Sequence, residues 1–306
     1  MMKLAKSTKA LAAAFSAAVL VTVGAGASAA TIVVSNNVIP GDAFTNPGPS
    51  NQGQAVAGSG WYYNNVRNGG TVGIDTAFPR NGNGAARFVS QDGGDKADIE
   101  FLPNAVNWLG NYLSGASLGA FSSLSGFGYE WYRGSASTIP GHLHPVIRVL
   151  LDADGNLLTT TDRGGLVFER VYMEASGWTA PTDTWVAESI GATSYLWSFG
   201  LGLPFAADID GNGYGYDATL AQWKAFLPNA VILGFSMGVG SGWNGYFVGA
   251  VDSASWTIAG QTSAFNFEVR PGAAVAEPAS LALLAIALFG VAAARSAGRA
   301  GRSVAG

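Results

Sequence analysis

The densest set of oxygen ligands in the sequence is a glycine-rich segment at residues 208–217. It reads Asp-Ile-Asp-Gly-Asn-Gly-Tyr-Gly-Tyr-Asp, with oxygen-bearing side chains at alternate positions and a glycine at the sixth position that permits a sharp turn. This is the first half of an EF-hand-like calcium loop, although Thr219 stands where the closing glutamate would be. The alternative is an Asx-rich turn before a helix. The calcium ligands predicted here are Asp208, Asp210, Asn212 and Asp217.

A second acidic turn offers the same chemistry. The segment Asp-Ala-Asp-Gly-Asn at residues 152–156 opens a long loop between two predicted strands, so that Asp162 could fold back as a further ligand. The same residues also favour an ordinary tight turn, because Asp, Asn and Gly tolerate positive φ. Calcium is the one cofactor that these patterns suggest. The ligands predicted in this turn are Asp152, Asp154 and Asn156.

Other site chemistries are restricted by the absence of cysteine and the presence of only two histidines. Without cysteine there is no thiolate metal site and no cysteine nucleophile. His142 and His144 would point to the same side of an extended segment, but two ligands are too few for a zinc enzyme. The alternative is two loop histidines flanked by prolines. No catalytic residue is therefore predicted.

Two glutamates, Glu130 and Glu169, lie within predicted strands, where a carboxylate is unusual. Glycosidases recruit two acids from distant strands, so sequence spacing would not reveal such a pair. The alternative is that each glutamate faces solvent or pairs with Arg133, Arg148 or Arg170. A hydrolase is therefore retained as an alternative only.

The nine tryptophans exceed what one β-sandwich core ordinarily needs. Flat aromatic faces can stack on sugar rings when they are exposed beside polar side chains. Trp178 and Trp243 each follow a glycine, which favours exposed positions, whereas most of the others are expected in the core. The predicted ligand-binding residues are Trp178, Trp243 and Asn244.

The elements that position these residues are predicted to be strands. Short runs rich in β-branched and aromatic residues recur between Gly, Asn, Asp and Ser turns, which favours two packed antiparallel sheets. The predicted fold is mainly β, a jelly-roll-like antiparallel β-sandwich with one short helix at 218–226, which ends before Pro228. Residues 41–60 are predicted to form a long loop, and the apolar run around Arg148 a central strand. The predicted strands are 31–38, 86–90, 97–101, 129–133, 146–151, 166–172, 184–188, 195–199, 231–239, 246–251, 254–258 and, as a candidate last strand, 265–269.

The two ends of the chain predict export. Three lysines, an apolar run at 10–23 and the small residues Ala27-Ser28-Ala29 are typical of a secretory signal peptide, assigned to residues 1–29. A second apolar run begins at Ala279 and precedes three arginines, which predicts a transmembrane helix with a basic tail at 279–302. The alternative, a buried helix, would have to be apolar on every face. The β-sandwich domain is then 30–270, followed by a linker and motif at 271–278.

The segment Val-Ala-Glu-Pro-Ala-Ser-Leu at 275–281, together with the apolar run and the arginines, resembles the PEP-CTERM sorting signal. The resemblance implies recognition by an exosortase, a membrane transpeptidase-like enzyme, after passage through the secretion translocon. It also implies a transient anchor in the inner membrane and a final location at the cell surface or outside the cell. Ala276 departs from the family pattern, which has proline there. The matching residues are Glu277, Pro278, Ala279, Ser280, Arg295, Arg299 and Arg302.

A second resemblance concerns the body of the protein. Residues 234–252, Gly-Phe-Ser-Met-Gly-Val-Gly-Ser-Gly-Trp-Asn-Gly-Tyr-Phe-Val-Gly-Ala-Val-Asp, look like the closing strands of jelly-roll modules in secreted carbohydrate-binding proteins. The resemblance implies a glycan ligand.

Charge excludes one class of partner. Residues 30–275 contain ten basic and nineteen acidic residues, a net charge of −9, which argues against nucleic acid. The sequence therefore predicts an exported, non-enzymatic module for adhesion or association with exopolysaccharide. The alternatives are a secreted carbohydrate-active hydrolase with a dispersed carboxylate pair and a purely structural matrix subunit.

Overall fold

A computed structural model describes residues 29–48 and 52–271. The predicted signal peptide, sorting motif and transmembrane helix lie outside the described residues. Within the described part of the chain, no helix has the length and apolar character needed to cross a membrane. The elements are β1 (Thr31–Ser35), β2 (Phe44–Thr45), β3 (Gln52–Val56), β4 (Trp61–Arg67), β5 (Thr71–Asp75), β6 (Ala85–Ser90), β7 (Lys96–Phe101), β8 (Val106–Trp108), β9 (Asn111–Leu113), β10 (Gly119–Ala120), β11 (Leu124–Arg133), β12 (Val146–Asp152), β13 (Arg163–Phe168), β14 (Trp185–Ile190), β15 (Trp197–Gly200), α1 (Leu220–Phe226), β16 (Val231–Val239), β17 (Phe247–Ile258) and β18 (Gln261–Glu268), with 3-10 turns at Phe121–Ser123 and Arg170–Met173.

The strands form two eight-stranded sheets and one small hairpin. Sheet A has the order β1-β18-β17-β6-β5-β2, and β11 pairs with β17 and carries β14. Sheet B has the order β15-β13-β12-β16-β7-β4-β3, and the short β10 pairs with β16. Strands β8 and β9 form the hairpin. Within the described residues the pairings are antiparallel except β1 with β18, so the prediction of a mainly β, antiparallel fold is confirmed.

The two sheets pack face to face through aromatic side chains. Trp61 of sheet B is fully buried and meets the edges of Phe265 and Phe267 of sheet A, with ring centroids 5.3 and 5.0 Å apart. Phe235 of sheet B stacks on Trp256 of sheet A at 4.2 Å. Because side chains alternate along a strand, the face of each sheet opposite this core is free to carry other chemistry.

The predictions for one loop and for several strands need correction. The predicted strand at 31–38 ends at Ser35. The predicted loop at 41–60 contains β2 and β3, because its polar residues pair at the edges of the two sheets. The predicted strand at 166–172 ends at Phe168, and a 3-10 turn follows it. The separate strands at 246–251 and 254–258 form the single strand β17, in which Ser253 adopts φ of 54° at an irregularity.

The helix and the central strand agree with the sequence. Helix α1 begins two residues later than predicted, because Thr219 caps it in a reciprocal capping box with Gln222. Strand β12 lies between β13 and β16, as its apolar run indicated. Its one basic residue, Arg148, has its side chain on the face of sheet B that is opposite the core, where it lines a cleft.

Candidate functional site

A cleft of about 470 Å³ crosses the outer face of sheet B. Its floor comes from strands β4, β7, β12, β16 and β13, and its far rim from β15 and the loops around it. The lining combines charged, small polar and aromatic side chains, which is the composition of a site for a polar ligand with flat apolar faces. The lining includes Asn65, Arg67, Lys96, Asp98, Glu100, Arg148, Glu169, Tyr172, Trp197, Phe199, Phe205, Tyr216, Ser236 and Trp243.

The cleft exists because β16, the strand at its centre, presents small residues on this face. Gly234, Ser236 and Gly238 alternate with the core residues of the same strand. A Cβ at position 238 would collide with the carboxylate of Asp98 and the carbonyl of Ala97. Glycine at 238 therefore lets the Asp98 side chain lie across β16.

Asp98 is the centre of a buried ion network on the cleft floor. Its Oδ2 accepts from Lys96 Nζ at 2.8 Å and from Asn65 Nδ2 at 2.9 Å, and its Oδ1 accepts from Arg148 Nη1 at 2.9 Å. Burial opposes ionisation of Asp98, but Arg148 and Lys96 lower its pKa below the ordinary value. Burial and the charge of Arg148 lower the pKa of Lys96 to about 8. One carboxylate thus serves two cations.

Two further carboxyl groups face the cleft. Glu100 lies opposite Ser236 in the sheet, and its Oε2 accepts from Asn64 Nδ2 at 2.7 Å. Burial raises the pKa of Glu100, and burial raises the pKa of Glu169 to about 7. Glu169 directly follows β13, on the side of the cleft where the aromatic residues lie. A carboxyl group with this pKa exchanges its proton near neutral pH.

Four aromatic residues line the far side of the cleft, and Tyr214 lies next to them against Tyr216. These rings are here called the aromatic rim: Tyr172, Trp197, Phe205, Tyr216 and Tyr214. Trp197 contacts Phe205 at 5.0 Å and Tyr216 at 6.0 Å between ring centroids. Tyr216 stacks on Tyr172 at 4.6 Å and lies 5.4 Å from Tyr214. Phe205 is 67% exposed and Tyr214 is 50% exposed, so the rim offers flat apolar faces to solvent.

The first predicted calcium loop delivers two of these rings. Asp208 accepts from the backbone N–H of Gly211 at 2.8 Å and of Gly213 at 2.7 Å, and these donors lower the pKa of Asp208. Asn212 Nδ2 donates to Asp217 Oδ2 at 2.8 Å. These hydrogen bonds hold the loop that carries Tyr214 and Tyr216 to the rim. Calcium binding by Asp208, Asp210, Asn212 and Asp217 stays a prediction.

The second predicted calcium loop brings its acids together. Oxygen atoms of Asp152, Asp154 and Asp162 lie within 4.8 Å of one another. The expectation that Asp162 folds back is therefore confirmed. Asp152 also pairs with Arg163 at 3.3 Å, and Asn156 accepts from the backbone N–H of Leu158 instead of joining the acidic group. Calcium binding in this loop also stays a prediction.

The predicted tryptophan pair is not an exposed platform. Trp243 is only 6% exposed and packs edge-on against Phe247 at 5.3 Å, although it closes one end of the cleft. Trp178 is half-buried, meets His144 at 6.0 Å and does not line the cleft. Asn244 is exposed in the loop before β17. The expectation of exposure is wrong for Trp243, because the following strand buries the ring.

The two histidines do not act together. His144 is buried and stacks on Trp131 at 4.1 Å. Its Nδ1 donates to the Pro145 carbonyl at 2.8 Å, and its Nε2 accepts from the backbone N–H of Arg170 at 3.3 Å. Burial lowers the pKa of His144 to about 4, so the ring is neutral at pH 7. His142 is exposed in the preceding loop.

Of the two glutamates singled out in the sequence, Glu130 lies in a strand as predicted, whereas Glu169 lies just after the end of β13. Glu130 is on β11 of sheet A and pairs with Arg80 at 2.8 Å, which lowers the pKa of Glu130. Glu169 alone reaches the cleft. Two Gly-x-Ser-x-Gly sequences occur, at 115–119 and 234–238, but Ser236 lies inside β16 and Ser117 lies in the segment before β10, so neither occupies a strand-to-helix elbow.

Sequence reasoning missed most of the cleft, because its residues come from strands distant in the chain. The alternation of small residues in β16 could have indicated the cleft, because small side chains on one face of a central strand leave a groove there. No protein-family model matches the chain, and no curated protein is significantly similar to it. The function of this protein is therefore inferred from the geometry of the cleft.

Proposed function

We propose that this protein is a non-enzymatic glycan-binding module whose site is the cleft on sheet B. The observation that carries the proposal is the aromatic rim standing beside a floor of hydrogen-bonding side chains. Sugar rings present apolar C–H faces together with hydroxyl groups, so they match a site with both features. A wholly apolar ligand would leave the polar floor without partners.

The shape of the site fits a chain of several sugars. A second groove of about 260 Å³ shares Asn65, Glu100 and Leu150 with the cleft and continues toward the hairpin β8–β9. Tyr112 of the hairpin lines this groove and packs on Tyr62 at 4.3 Å. An elongated groove with aromatic residues at both ends supports binding of an internal segment of a polysaccharide.

Binding is favoured over hydrolysis by the positions of the acids. Glu169 follows β13 and Glu100 lies on β7, with β12 and β16 between them. Three strand spacings separate the two backbones by about 14 Å, and Glu100 is held by Asn64 of β4, away from β13, whereas paired glycosidase carboxyls lean together to about 5–10 Å. Asp98 is already committed to Lys96 and Arg148. The raised pKa of Glu169 is the single observation that favours a hydrolase as second candidate.

Export and surface location complete the proposal. They rest on the predicted signal peptide and on the resemblance of residues 275–302 to the PEP-CTERM signal, with an exosortase-like enzyme and the translocon as partners. A polysaccharide outside the cell is then the accessible ligand, which suits a role in adhesion or exopolysaccharide association. The jelly-roll-like connectivity and the structural-subunit alternative stay predictions. Fractionation of cells expressing the full chain, with and without Arg295, Arg299 and Arg302 changed to Ala, tests the sorting part.

A glycan array followed by calorimetry tests the binding part. We expect Trp197→Ala and Tyr216→Ala each to weaken binding about tenfold or more, because each removes a stacking surface on the rim. Trp185→Ala is the matched control, since Trp185 is a half-buried ring on sheet A. Binding that is unchanged in both rim variants would refute the assignment of the cleft.

The hydrolase candidate has its own test. The glycans that bind are incubated with the protein, and new reducing ends are measured over a range of pH. Turnover that disappears in Glu169→Gln would replace the binding proposal with the enzyme. Glu130→Gln is the control, because Glu130 lies on the other sheet.

A further inference from the structure

The cleft concentrates positive charge in an acidic protein. Ten basic residues lie between residues 30 and 275, and three of them, Arg67, Lys96 and Arg148, line this one cleft. The net charge of the same part of the chain is −9. A cluster of cations in such a chain calls for a specific physical reason, because isolated buried charge is costly.

Internal carboxylates do not account for the cluster. On other parts of the molecule each paired arginine has a carboxylate of its own: Arg80 has Glu130, Arg87 has Asp75 and Arg163 has Asp152. In the cleft, Lys96 and Arg148 share the single carboxylate of Asp98. Within the described residues no salt bridge is formed by Arg67.

Some hydrogen-bond donors in the cleft also have no acceptor among the described residues. Arg67 Nε is buried and has no hydrogen-bond partner among the described residues. The side-chain hydrogen bonds of Arg148 to Asp98 and Ser236 both use Nη1. The guanidinium group has further N–H donors arranged in a planar fork, which matches the two oxygens of a carboxylate.

The remaining acids of the cleft do not take these donors. Glu100 is held by the neutral amide of Asn64, and burial raises its pKa. Glu169 lies beside the Trp197 indole, and burial raises its pKa to about 7. Glu169 therefore carries less negative charge near neutral pH than an exposed glutamate, and among the described residues neither glutamate forms a salt bridge with Arg67, Lys96 or Arg148.

We infer that the glycan bound in this cleft contains uronic acid, whose carboxylate is held by the cation cluster of Arg67, Lys96 and Arg148 while its ring lies toward the aromatic rim. The inference rests on the proposed function and specifies its ligand class. A neutral sugar would leave Arg67 without an anionic partner. A carboxylate on the sugar supplies the missing anion and accepts from the unused guanidinium donors.

The decisive probe is a set of uronate polysaccharides, polygalacturonate, alginate and hyaluronan, each compared with its own carboxyl-reduced form. The two members of a pair differ in charge and share linkage and ring shape. Calorimetry with the full protein should show at least one acid form binding about tenfold or more tightly than its reduced partner. Equal affinity for the two forms, or no binding by any acid form, would overturn the uronate assignment.

Variants separate this inference from the function on which it rests. Arg67→Gln removes a cation that has no ion pair among the described residues, so we expect it to weaken the acid form about tenfold and to weaken the reduced form clearly less. Arg87→Gln is the control on sheet A. Trp197→Ala should weaken both forms. A reduced form that binds as well as the acid form, still dependent on Trp197, would overturn the uronate inference and leave glycan binding standing; loss of any dependence on Trp197 would remove both.

Discussion

The outer faces of the two sheets differ in how far their charged and aromatic side chains are paired with one another. On sheet A, Arg80 pairs with Glu130 and its guanidinium lies 5.9 Å from the centroid of the Trp185 ring, and Phe78 stacks on Tyr132 at 4.6 Å. On sheet B, two cations share Asp98, and Phe205 of the rim is open to solvent. A surface whose charges are paired and whose aromatic rings are stacked on one another has few groups left to bind a ligand. The contrast therefore points to sheet B as the binding face, and four experiments can break or sharpen it.

The largest expected effect is on the ion network of sheet B. Asp98→Ala leaves Lys96 and Arg148 buried without a carboxylate, so we expect the free energy of unfolding to fall by about 3–5 kcal/mol. The matched change on sheet A is Asp75→Ala, which frees the more exposed Arg87 and should cost about 0–1 kcal/mol. Urea denaturation of both variants measures the difference. Equal losses would show that the two networks are energetically alike.

The second effect concerns Asp252, a carboxyl group of sheet A that forms no salt bridge among the described residues. Asp252 is fully buried; its Oδ1 accepts from the backbone N–H of Phe267 at 2.8 Å, and its Oδ2 has no partner among the described residues. Burial raises the pKa of Asp252 from its ordinary 3.8 to about 8. The folded state thus holds this proton more tightly, so the contribution of Asp252 to stability is fully present below pH 4 and is lost as the pH rises toward 8.

Asp252→Asn should remove this dependence. The amide keeps the acceptor for Phe267 and cannot ionise, so we expect the variant to be more stable than the parent at pH 8.5 by about 1–3 kcal/mol, with little difference near pH 4. Denaturation at both pH values tests this. Asp98, whose pKa is lowered, contributes the opposite slope at acid pH, and a parent-like pH profile in Asp252→Asn would contradict the assignment.

The third effect compares two equally exposed rings. Phe205 on the aromatic rim and Trp108 on the hairpin β8–β9 are each 67% exposed. Phe205→Ala should weaken glycan binding by about 1 kcal/mol, roughly fivefold, without lowering the Tm, because only a ligand covers this ring. Trp108→Ala should leave affinity unchanged. Equal weakening in both variants would extend the binding surface over the hairpin.

The smallest effect tests the acidic group Asp152, Asp154 and Asp162. If calcium binds here, EDTA should lower the Tm by about 2–4 °C for each kcal/mol by which bound calcium stabilises the folded protein. The variant Asp162→Asn should abolish this shift. Asp183→Asn, a change in an exposed turn, serves as control. An identical Tm with calcium and with EDTA would remove the metal from this loop.

The strands that sequence could predict are those whose apolar runs are buried by the sandwich, such as β12 and β16. Strand β3 was missed because Gln and Gly dominate it, whereas β4 and β5 were missed although they contain aromatic and β-branched residues, which Asn64 and Asn65 interrupt in β4 and Gly73 interrupts in β5. The cleft could not be predicted because its residues come from strands that are distant in the chain. Arg67, Asp98, Arg148 and Trp197 converge through strand order, which local spacing does not encode, and the glycine next to Trp243 was a poor guide to exposure.

The pairing of the first strand with the last has a consequence for how the chain reaches its fold. Strand β1 lies parallel to β18, and Asn36 Oδ1 accepts from the backbone N–H of Arg270 at 2.7 Å. Strand β1 therefore has no strand partner until β18 has been synthesised. Contacts over such a separation fold slowly, and the edge of sheet A closes late. A chain that lacks β18 would therefore leave β1 without a strand partner and would expose part of the edge of β17.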